Sequence, residues 1–179
     1  MSFPSFRRHR SFAAAAFGAF AALIGAVSSM SLHAQELPPG VRLGMTVEEL
    51  QAALPAAERV QRPQRLAGGL AGTWRAPPSV MAGLAFEPTF YFAGTVLRRV
   101  EWVALAQAES DRGAAAFAEL VGWGRERFGA EMASRDPGSA YASWVAGEAD
   151  VYAQHVDDPR RASVRLVYKT RQLKDAGEL

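Results

Sequence analysis

The sequence predicts an α+β fold, a duplicated α-β-β-β unit in which two helices pack on one face of an antiparallel sheet. Three observations lead to this prediction. Two segments have the apolar spacing of a helix, alternating strand-like runs follow each of them, and turn residues separate the runs. The repeated order divides the mature chain into a first unit over residues 35–107 and a second over 108–179, which together form one compact domain.

The first helix is predicted in the stretch GMTVEELQAALP. Thr46 lies where a capping residue is needed, and Glu49 follows three residues later, which is the spacing of a capping box. Pro55 ends the helix because it has no backbone N–H to continue the hydrogen bonding. The apolar positions that share one helical face are Val47, Leu50 and Leu54.

Three strand-like runs follow, GLAGTWRA, GLAFEPTFYF and VLRRVEWVAL. In the second run Pro88 interrupts the alternation and indicates an edge or a bulge. The short turn AGT joins the second and third runs, which predicts an antiparallel hairpin. In the third run Val96, Val100 and Trp102 are expected on the buried face, with Leu97, Arg99 and Glu101 opposite.

The second unit begins with a longer predicted helix, ESDRGAAAFAELVGWGRERFG, capped by Ser110 or Asp111 and ended by Gly129. Two glycines, Gly122 and Gly124, weaken an isolated helix and are expected to lie close to the sheet. The runs AYASWVAG, ADVYAQHV and ASVRLVYKT complete this unit. The tryptophans expected to anchor the core are Trp102 and Trp144.

Residues 1–34 have the three parts of a secretory signal peptide. Three arginines precede an uncharged apolar run over residues 12–27, and small residues up to Ala34 form a cleavage site. The sequence therefore predicts cleavage after Ala34 and export to a periplasm. Two alternatives stay open, namely a retained N-terminal anchor and export through the twin-arginine route, which the pair Arg7-Arg8 would signal.

Composition excludes several classes of protein. Three of the 20 basic residues lie in the leader, so the mature chain has 17 basic and 18 acidic residues and no basic field for nucleic acid. The chain has no cysteine, which excludes disulfides, thiolate metal sites and a lipid anchor on cysteine. No segment after the leader is long and apolar enough to span a membrane.

The sequence carries no recognisable catalytic or metal motif, and we expect a protein that is not an enzyme and has no cofactor. His155 is the only histidine outside the leader, which is a poor basis for a metal site. The carboxylate pairs Glu48-Glu49 and Asp157-Asp158 are explained by a helix start and a turn. No glycine-rich phosphate loop is present.

The stretch GVRLGMTVEELQAALP resembles the opening helix of the small exported α/β modules of the BamE/SmpA-OmlA type. The order of elements is similar to the tandem architecture of beta-lactamase inhibitory protein. These resemblances imply a non-catalytic envelope protein whose sheet offers a binding face.

Two surfaces are predicted to bind a partner, which we expect to be an envelope protein. On the sheet face opposite the helices the expected residues are Tyr91, Arg99, Glu101, Tyr152, Gln154, Arg165 and Lys169. In the connection after the first strand they are Pro77, Pro78, Val80 and Met81. Tyrosine and arginine are the residue types enriched at interface hot spots. Two alternatives stay open: a small ligand or lipid bound in an apolar crevice between helices and sheet, and a hydrolase that uses His155.

Overall fold

The computed structural model describes residues 37–171, so the predicted signal peptide over residues 1–34 lies outside the described residues. The two helices are α1 (Val47–Ala53) and α2 (Ala114–Phe128), and a single 3₁₀ turn covers Ala67–Gly69. The strands are β1 (Glu58–Arg59), β2 (Leu70–Arg75), β3 (Ser79–Met81), β4 (Leu84–Ala93), β5 (Val96–Leu105), β6 (Met132–Asp136), β7 (Ser139–Ala146), β8 (Ala149–Val156) and β9 (Ser163–Thr170).

All nine strands belong to one antiparallel sheet. Its order is β1-β2-β4-β5-β9-β8-β7-β6, and β3 pairs with β4 beyond the end of β2. The predicted hairpin between β4 and β5 is confirmed by their antiparallel pairing. Strand β5 also pairs with β9, which joins the N-terminal strands to the C-terminal strands in the middle of the sheet.

The predicted fold class was wrong, because the protein is dominated by its sheet. Strands account for 45% of the described residues and helices for 19%. Five strands follow α1 and four follow α2, so the expected α-β-β-β repeat does not describe the chain. The three strands that the sequence analysis missed, β1, β3 and β6, are two, three and five residues long. Such short strands show little or no alternation, and all five residues of β6 are exposed.

The hydrophobic core lies on one face of the sheet and is filled by large side chains. Among the fully buried ones are Phe86, Phe90 and Trp102. Trp144 is buried as well, so both tryptophans predicted to anchor the core do so. Two further tryptophans contact this core, Trp123 as a buried residue of α2 and Trp74 as a half-buried residue of β2.

Helix α1 begins and ends as the sequence predicts. The Thr46 side chain accepts a hydrogen bond from the Glu49 backbone N–H, and the Glu49 carboxylate accepts one from the Thr46 N–H, which confirms the capping box. Leu50 is fully buried. The segment before α1 exchanges backbone hydrogen bonds with Leu97 of β5, which fixes α1 beside the sheet.

Helix α2 packs so closely on the sheet that one of its positions must be glycine. A Cβ on Gly124 would lie 2.3 Å from Cζ2 of Trp144, and Trp144 Nε1 donates to the carbonyl oxygen of Gly129 at the end of the helix. The N-cap residue of α2 is Gly113 and not Ser110 or Asp111 as predicted, although the Asp111 carboxylate accepts from the N–H groups of Gly113 and Ala115. The close approach predicted for both helical glycines is confirmed at Gly124 alone, since a Cβ on Gly122 would meet nothing within 4 Å.

This difference predicts opposite effects for two identical substitutions. We expect Gly124→Ala to lower the free energy of unfolding by about 1–2 kcal/mol, because overpacking of about 1–3 kcal/mol outweighs a helix-propensity gain of about 1 kcal/mol. Gly122→Ala should raise it by about 0.5–1 kcal/mol. Urea denaturation of both variants measures the two changes in the free energy of unfolding. Equal effects of the two substitutions would contradict the close contact with Trp144.

Irregular pairing around Tyr91 changes the expected alternation. The register shifts between Gly72 and Trp74 in β2, and again between Tyr91 and Phe92 where β4 pairs with β5. The second shift leaves an extra residue in β5, so Leu97 is buried in the core instead of lying on the face of Arg99 as predicted.

Pro88 also differs from its prediction in part. Strand β4 is an interior strand, and Pro88 lies where pairing with β2 has ended and pairing with β3 has not begun. Its carbonyl accepts from the Ala76 N–H at 3.2 Å. The absence of a proline N–H therefore costs no strand hydrogen bond at this gap.

Within residues 37–171, no helix is long and apolar enough to cross a membrane.

Candidate functional site

The sheet surface opposite the hydrophobic core, here called the open face, carries all seven sheet residues that the sequence predicted. Directly paired residues of neighbouring strands share a face, so the register maps this surface. One row runs through Tyr91, Arg99, Lys169 and Asp150, the next through Glu101, Val167 and Tyr152, and a third through Arg165, Gln154 and Tyr141. The predicted residues therefore lie together on β4, β5, β9 and β8.

A buried carboxylate lies at the centre of the open face. Glu101 is only 4% exposed, although it belongs to the face opposite the core. Its Oε2 is 2.9 Å from Nη2 of Arg99, and its Oε1 is 2.8 Å from Nε of Arg165. Val167, which pairs with Glu101, is fully buried. Arg99 thus donates two hydrogen bonds to Glu101, whereas Arg165 forms an ion pair with the same carboxylate without a hydrogen bond from its Nε.

Tyrosine rings surround this ion-pair network. The Arg99 guanidinium lies 5.7 Å from the centre of the Tyr91 ring and 5.5 Å from that of Tyr152, within the range of a cation–π contact. Tyr141 lies beside Tyr152 with ring centres 5.2 Å apart. Burial raises the pKa of Tyr141 and of Tyr152 above the ordinary value, so both hydroxyls stay protonated at neutral pH.

Tyr91 is part of the floor of the open face and not an exposed contact. It is 2% exposed, and its hydroxyl donates to Oε1 of Gln64 at 3.0 Å. Its ring covers Gly72 on the neighbouring strand, where a Cβ would lie 2.9 Å from Cε1 of the tyrosine. Burial is the main reason that the pKa of Tyr91 rises to about 12. The burial of Tyr91 therefore argues against the expectation that it contacts a partner directly.

The rim of the open face is accessible and combines charge with apolar side chains. Lys169 is 3.4 Å from Asp150, and both are partly exposed. Gln154 is half-buried. The large apolar residues exposed around this face are Val80, Leu105, Met132 and Val145.

The segment from Pro77 to Met81 differs from its prediction at one end. Pro77 and Pro78 are exposed and lead into β3, where Val80 is 71% exposed. Met81 is 3% exposed and packs in the core, because side chains alternate along β3 and Met81 pairs with Leu84. Met81, which was predicted to contact a partner, is thus buried, whereas Val80 lies at a corner of the open face.

Sequence reasoning missed three residues of this surface. Tyr141 stands in a predicted strand at the parity opposite to Trp144, so the alternation contained the signal that places it on the open face. Asp150 follows the same parity rule in β8. Gln64 belongs to an irregular segment, and no pattern in the sequence indicates its bond to Tyr91.

His155 is occupied in a way that does not suit a catalytic base. Its Nε2 lies 2.9 Å from the carbonyl oxygen of Arg112, and its ring stacks on Phe117 with centres 5.8 Å apart. No serine hydroxyl of residues 37–171 is hydrogen-bonded to it. Among the same residues no group of three histidine, cysteine or carboxylate side chains is placed to hold a metal ion.

The fold and the open face define a class of protein in general terms: a sheet-dominated domain whose open face carries tyrosine and arginine. No protein family, no curated protein and no solved structure matches this chain. The resemblances to the BamE/SmpA-OmlA type and to beta-lactamase inhibitory protein thus stay predictions.

Proposed function

We propose that this protein is an exported, non-enzymatic binding module of the cell envelope whose open face binds an acidic surface of a protein partner. The observation that carries the proposal is the arrangement of Arg99 and Arg165 on one buried carboxylate, surrounded by tyrosines. The export is inferred from the leader-like sequence of residues 1–34. We therefore propose that the mature protein acts in the periplasm.

The shape of the open face favours a macromolecule over a small ligand. Six strands from β4 to β6 span about 24 Å across, and strands of about eight residues give a similar height, so the face measures roughly 600 Å². A typical protein interface buries about 800 Å² on each partner. Of the two cavities described among residues 37–171, one lies elsewhere, beside α2, and the other, of about 240 Å³, lies at the corner of the open face near Pro77. Peripheral Leu105 and Met132, each more than 70% exposed, supply apolar contact area.

The charge of the face selects an acidic partner. Among the seven predicted residues three are cationic, Arg99, Arg165 and Lys169, and only Glu101 is anionic. Asp150 adds one negative charge beside Lys169. Within the patch of Arg99, Glu101, Arg165, Lys169 and Asp150 one positive charge stays uncompensated, while Glu87 and Asp136 lie on the same face outside this patch. Opposite charge on a partner at this patch would accelerate association and fix its orientation.

Photo-crosslinking in the cell envelope tests the proposal. A photoreactive phenylalanine analogue at Gln154, on the open face, should give an adduct with a protein of one defined size. Lys169→Glu should reduce the adduct yield about tenfold, as expected for a loss of about 1.4 kcal/mol at a charged rim position. Higher salt should reduce the yield in the same direction, because exposed charges are screened.

Two controls make the outcome specific to the open face. The same analogue at Glu119, an exposed residue of α2, should give no adduct of that size. Arg62→Glu makes an identical change of charge at an exposed site in the segment before β2 and should leave the yield unchanged. An adduct that forms equally from Glu119, or that survives Lys169→Glu, would refute the proposed binding face.

A further inference from the structure

Strand β6 ends the sheet and leaves one edge free. All five of its residues are exposed, and within residues 37–171 no strand lies beyond it. An unpaired edge presents backbone N–H and C=O groups that an extended peptide can satisfy by adding a strand. The register of β6, β7 and β8 shows which of these groups face outward.

The hydrogen bonding between β7 and β8 sets the direction of the backbone groups. The Asp157 N–H donates to the Gly138 carbonyl at 2.9 Å, and the register extended by one residue places these two opposite each other. Hydrogen-bonded pairs alternate with non-bonded pairs in an antiparallel ladder, so Ala140 and Ala142 direct their backbone groups toward β8. Tyr141, which lies between them, therefore directs its groups toward β6.

The same alternation leaves two residues of β6 with outward backbone groups. Ser134 pairs with Tyr141, so its N–H and C=O point toward β7. Ala133 and Arg135, on either side of Ser134, direct theirs away from the sheet. Pro137 follows the strand and has no N–H, which limits the edge to these two residues. Each carries one N–H and one C=O, so four backbone groups are open to an added antiparallel strand.

Contacts with helix α2 hold the start of β6 in place. Arg125 Nε, in the last turn of α2, donates to Oε2 of Glu131 at 2.7 Å, directly before β6. This hydrogen bond lowers the pKa of Glu131 to about 2, so the carboxylate stays charged at neutral pH. The edge is therefore ordered before a partner arrives, which lowers the entropy cost of binding.

A groove of about 670 Å³ lies beside this edge, between α2 and the strands β6 and β7. Phe117 and Val121 form part of its helical wall, and Ala133, Ala140 and Ala142 form part of its floor. A residue of an added strand opposite Ala133 would point to this side of the sheet, because paired residues share a face. The small alanine side chains leave room for a large apolar side chain at that position.

The charges of β6 select the order of charges in a partner strand. Arg135 pairs with Ala140, which pairs with His155, so Arg135 lies on the side of the groove. Asp136 pairs with Ser139 and lies on the opposite side. Neither charged residue forms an ion pair within residues 37–171. An acidic residue opposite Arg135 and a basic residue opposite Asp136 would form two cross-strand pairs.

A second copy of β6 does not supply this order of charges. Antiparallel pairing that places Arg135 opposite Ala133 also places Asp136 opposite Met132, and both charges stay uncompensated. Pairing centred on Arg135 brings two arginines together, which is destabilising. Pairing centred on Ala133 brings Arg135 opposite Glu131, which already has an arginine partner. The charges therefore favour a different protein over a second copy.

We infer that the edge of β6 binds an extended peptide segment of a protein partner as an added antiparallel strand. From its N-terminus the segment has the order basic, acidic, polar, aromatic, apolar. The acidic residue lies opposite Arg135 and the aromatic residue opposite Ala133, with its ring in the groove. This inference does not depend on the proposed function, because it uses the sheet edge and its backbone groups instead of the open face.

Nuclear magnetic resonance titration of the purified protein with acetyl-Lys-Glu-Thr-Phe-Val-amide tests the site. Saturating peptide should slow the amide exchange of Ala133 and Arg135 at least tenfold. Exchange at Ser134 should change little, because its N–H already faces β7. Ala133→Pro removes an outward N–H without removing a hydrogen bond to β7, and it should weaken binding at least tenfold. Unchanged exchange at Ser134 verifies that β6 stays paired in this variant.

Matched peptides separate backbone pairing from side-chain contacts. Methylation of the phenylalanine nitrogen removes a hydrogen bond to Ala133 and should weaken binding at least tenfold, whereas methylation of the threonine nitrogen, which faces away from β6, should have little effect. Alanine in place of phenylalanine leaves the groove empty and should also weaken binding at least tenfold. Arg135→Glu should reverse the charge preference and bind the peptide Lys-Lys-Thr-Phe-Val about fivefold better than the original.

Three results would overturn the inference. The first is unchanged exchange at Ala133 and Arg135 with millimolar peptide, and the second is equal binding by the wild type and Ala133→Pro. The third is protection of these amides in the free protein that increases with protein concentration, which would identify a second copy as the occupant. None of these results would affect crosslinking from the open face.

Discussion

Glu101→Ala is expected to lower the free energy of unfolding by about 3–5 kcal/mol, the range found when one partner of a buried ion pair is removed. The carboxylate is 4% exposed and neutralises two guanidinium groups. Without it, Arg99 would stay almost buried beside a second positive charge on Arg165. The stability loss therefore comes from the uncompensated charges as much as from the lost hydrogen bonds.

Urea denaturation of Glu101→Ala, followed by tryptophan fluorescence, measures this effect. The double variant Arg99→Met/Glu101→Met serves as the control, because it replaces both buried charges by apolar chains of similar length. Its loss should be smaller than that of Glu101→Ala, since apolar replacement of a buried pair is often nearly neutral. A loss below about 1 kcal/mol for Glu101→Ala would show that water screens the network.

Tyr91→Ala should destabilise the protein by about 3–5 kcal/mol, as for other buried aromatic residues. The substitution removes the ring that covers Gly72 on the neighbouring strand, and it leaves a cavity beneath the open face. Tyr91→Phe keeps the ring and removes only the hydrogen bond to Gln64, for an expected loss of about 1 kcal/mol.

Thermal and urea denaturation of Tyr91→Ala and Tyr91→Phe measures these losses of stability. Tyr141→Ala is the comparison that shows whether burial, or only position on the open face, determines the loss. Tyr141 lies on the same face but is only half-buried, so its removal should cost clearly less than that of Tyr91. If Tyr91→Ala and Tyr141→Ala were equally mild, the burial of Tyr91 would not contribute to stability. Tyr91 would then become a candidate for direct contact with a partner.

The stability losses expected for Glu101→Ala and Tyr91→Ala determine which substitutions can test binding by the open face. Its sequence suggests that Tyr91→Ala or Arg99→Ala would weaken binding with little loss of stability. The burial of both side chains makes each of them part of the folded framework. Charge reversal at accessible Lys169 is the sharper test, because its expected effect on folding is small.

Local signals in the sequence predicted local structure well. The capping box of Thr46 and Glu49, the end of α2 at Gly129 and the β4–β5 hairpin are each encoded by neighbouring residues. Strand parity also placed the seven predicted residues of the sheet on one face, since alternation is a local property.

The errors arose where distant parts of the chain decide the structure. Strand β6 exists because β7 pairs with it, although its own residues MASRD show no apolar alternation. The register shift beside Tyr91 places Leu97 in the core, and no pattern in the sequence predicts this shift. The pairing of Arg135, Ala140 and His155 in one row likewise follows from strand order, which single-sequence reasoning did not predict.

Strand β6 has a consequence for the solubility of the protein. It ends the sheet, and within residues 37–171 no strand pairs with its outer edge, so its backbone groups are a template for added strands. The strand is short, and two of its five residues, Arg135 and Asp136, are charged, which are features that oppose association between sheet edges. These two charged residues thus protect the exposed edge from aggregation.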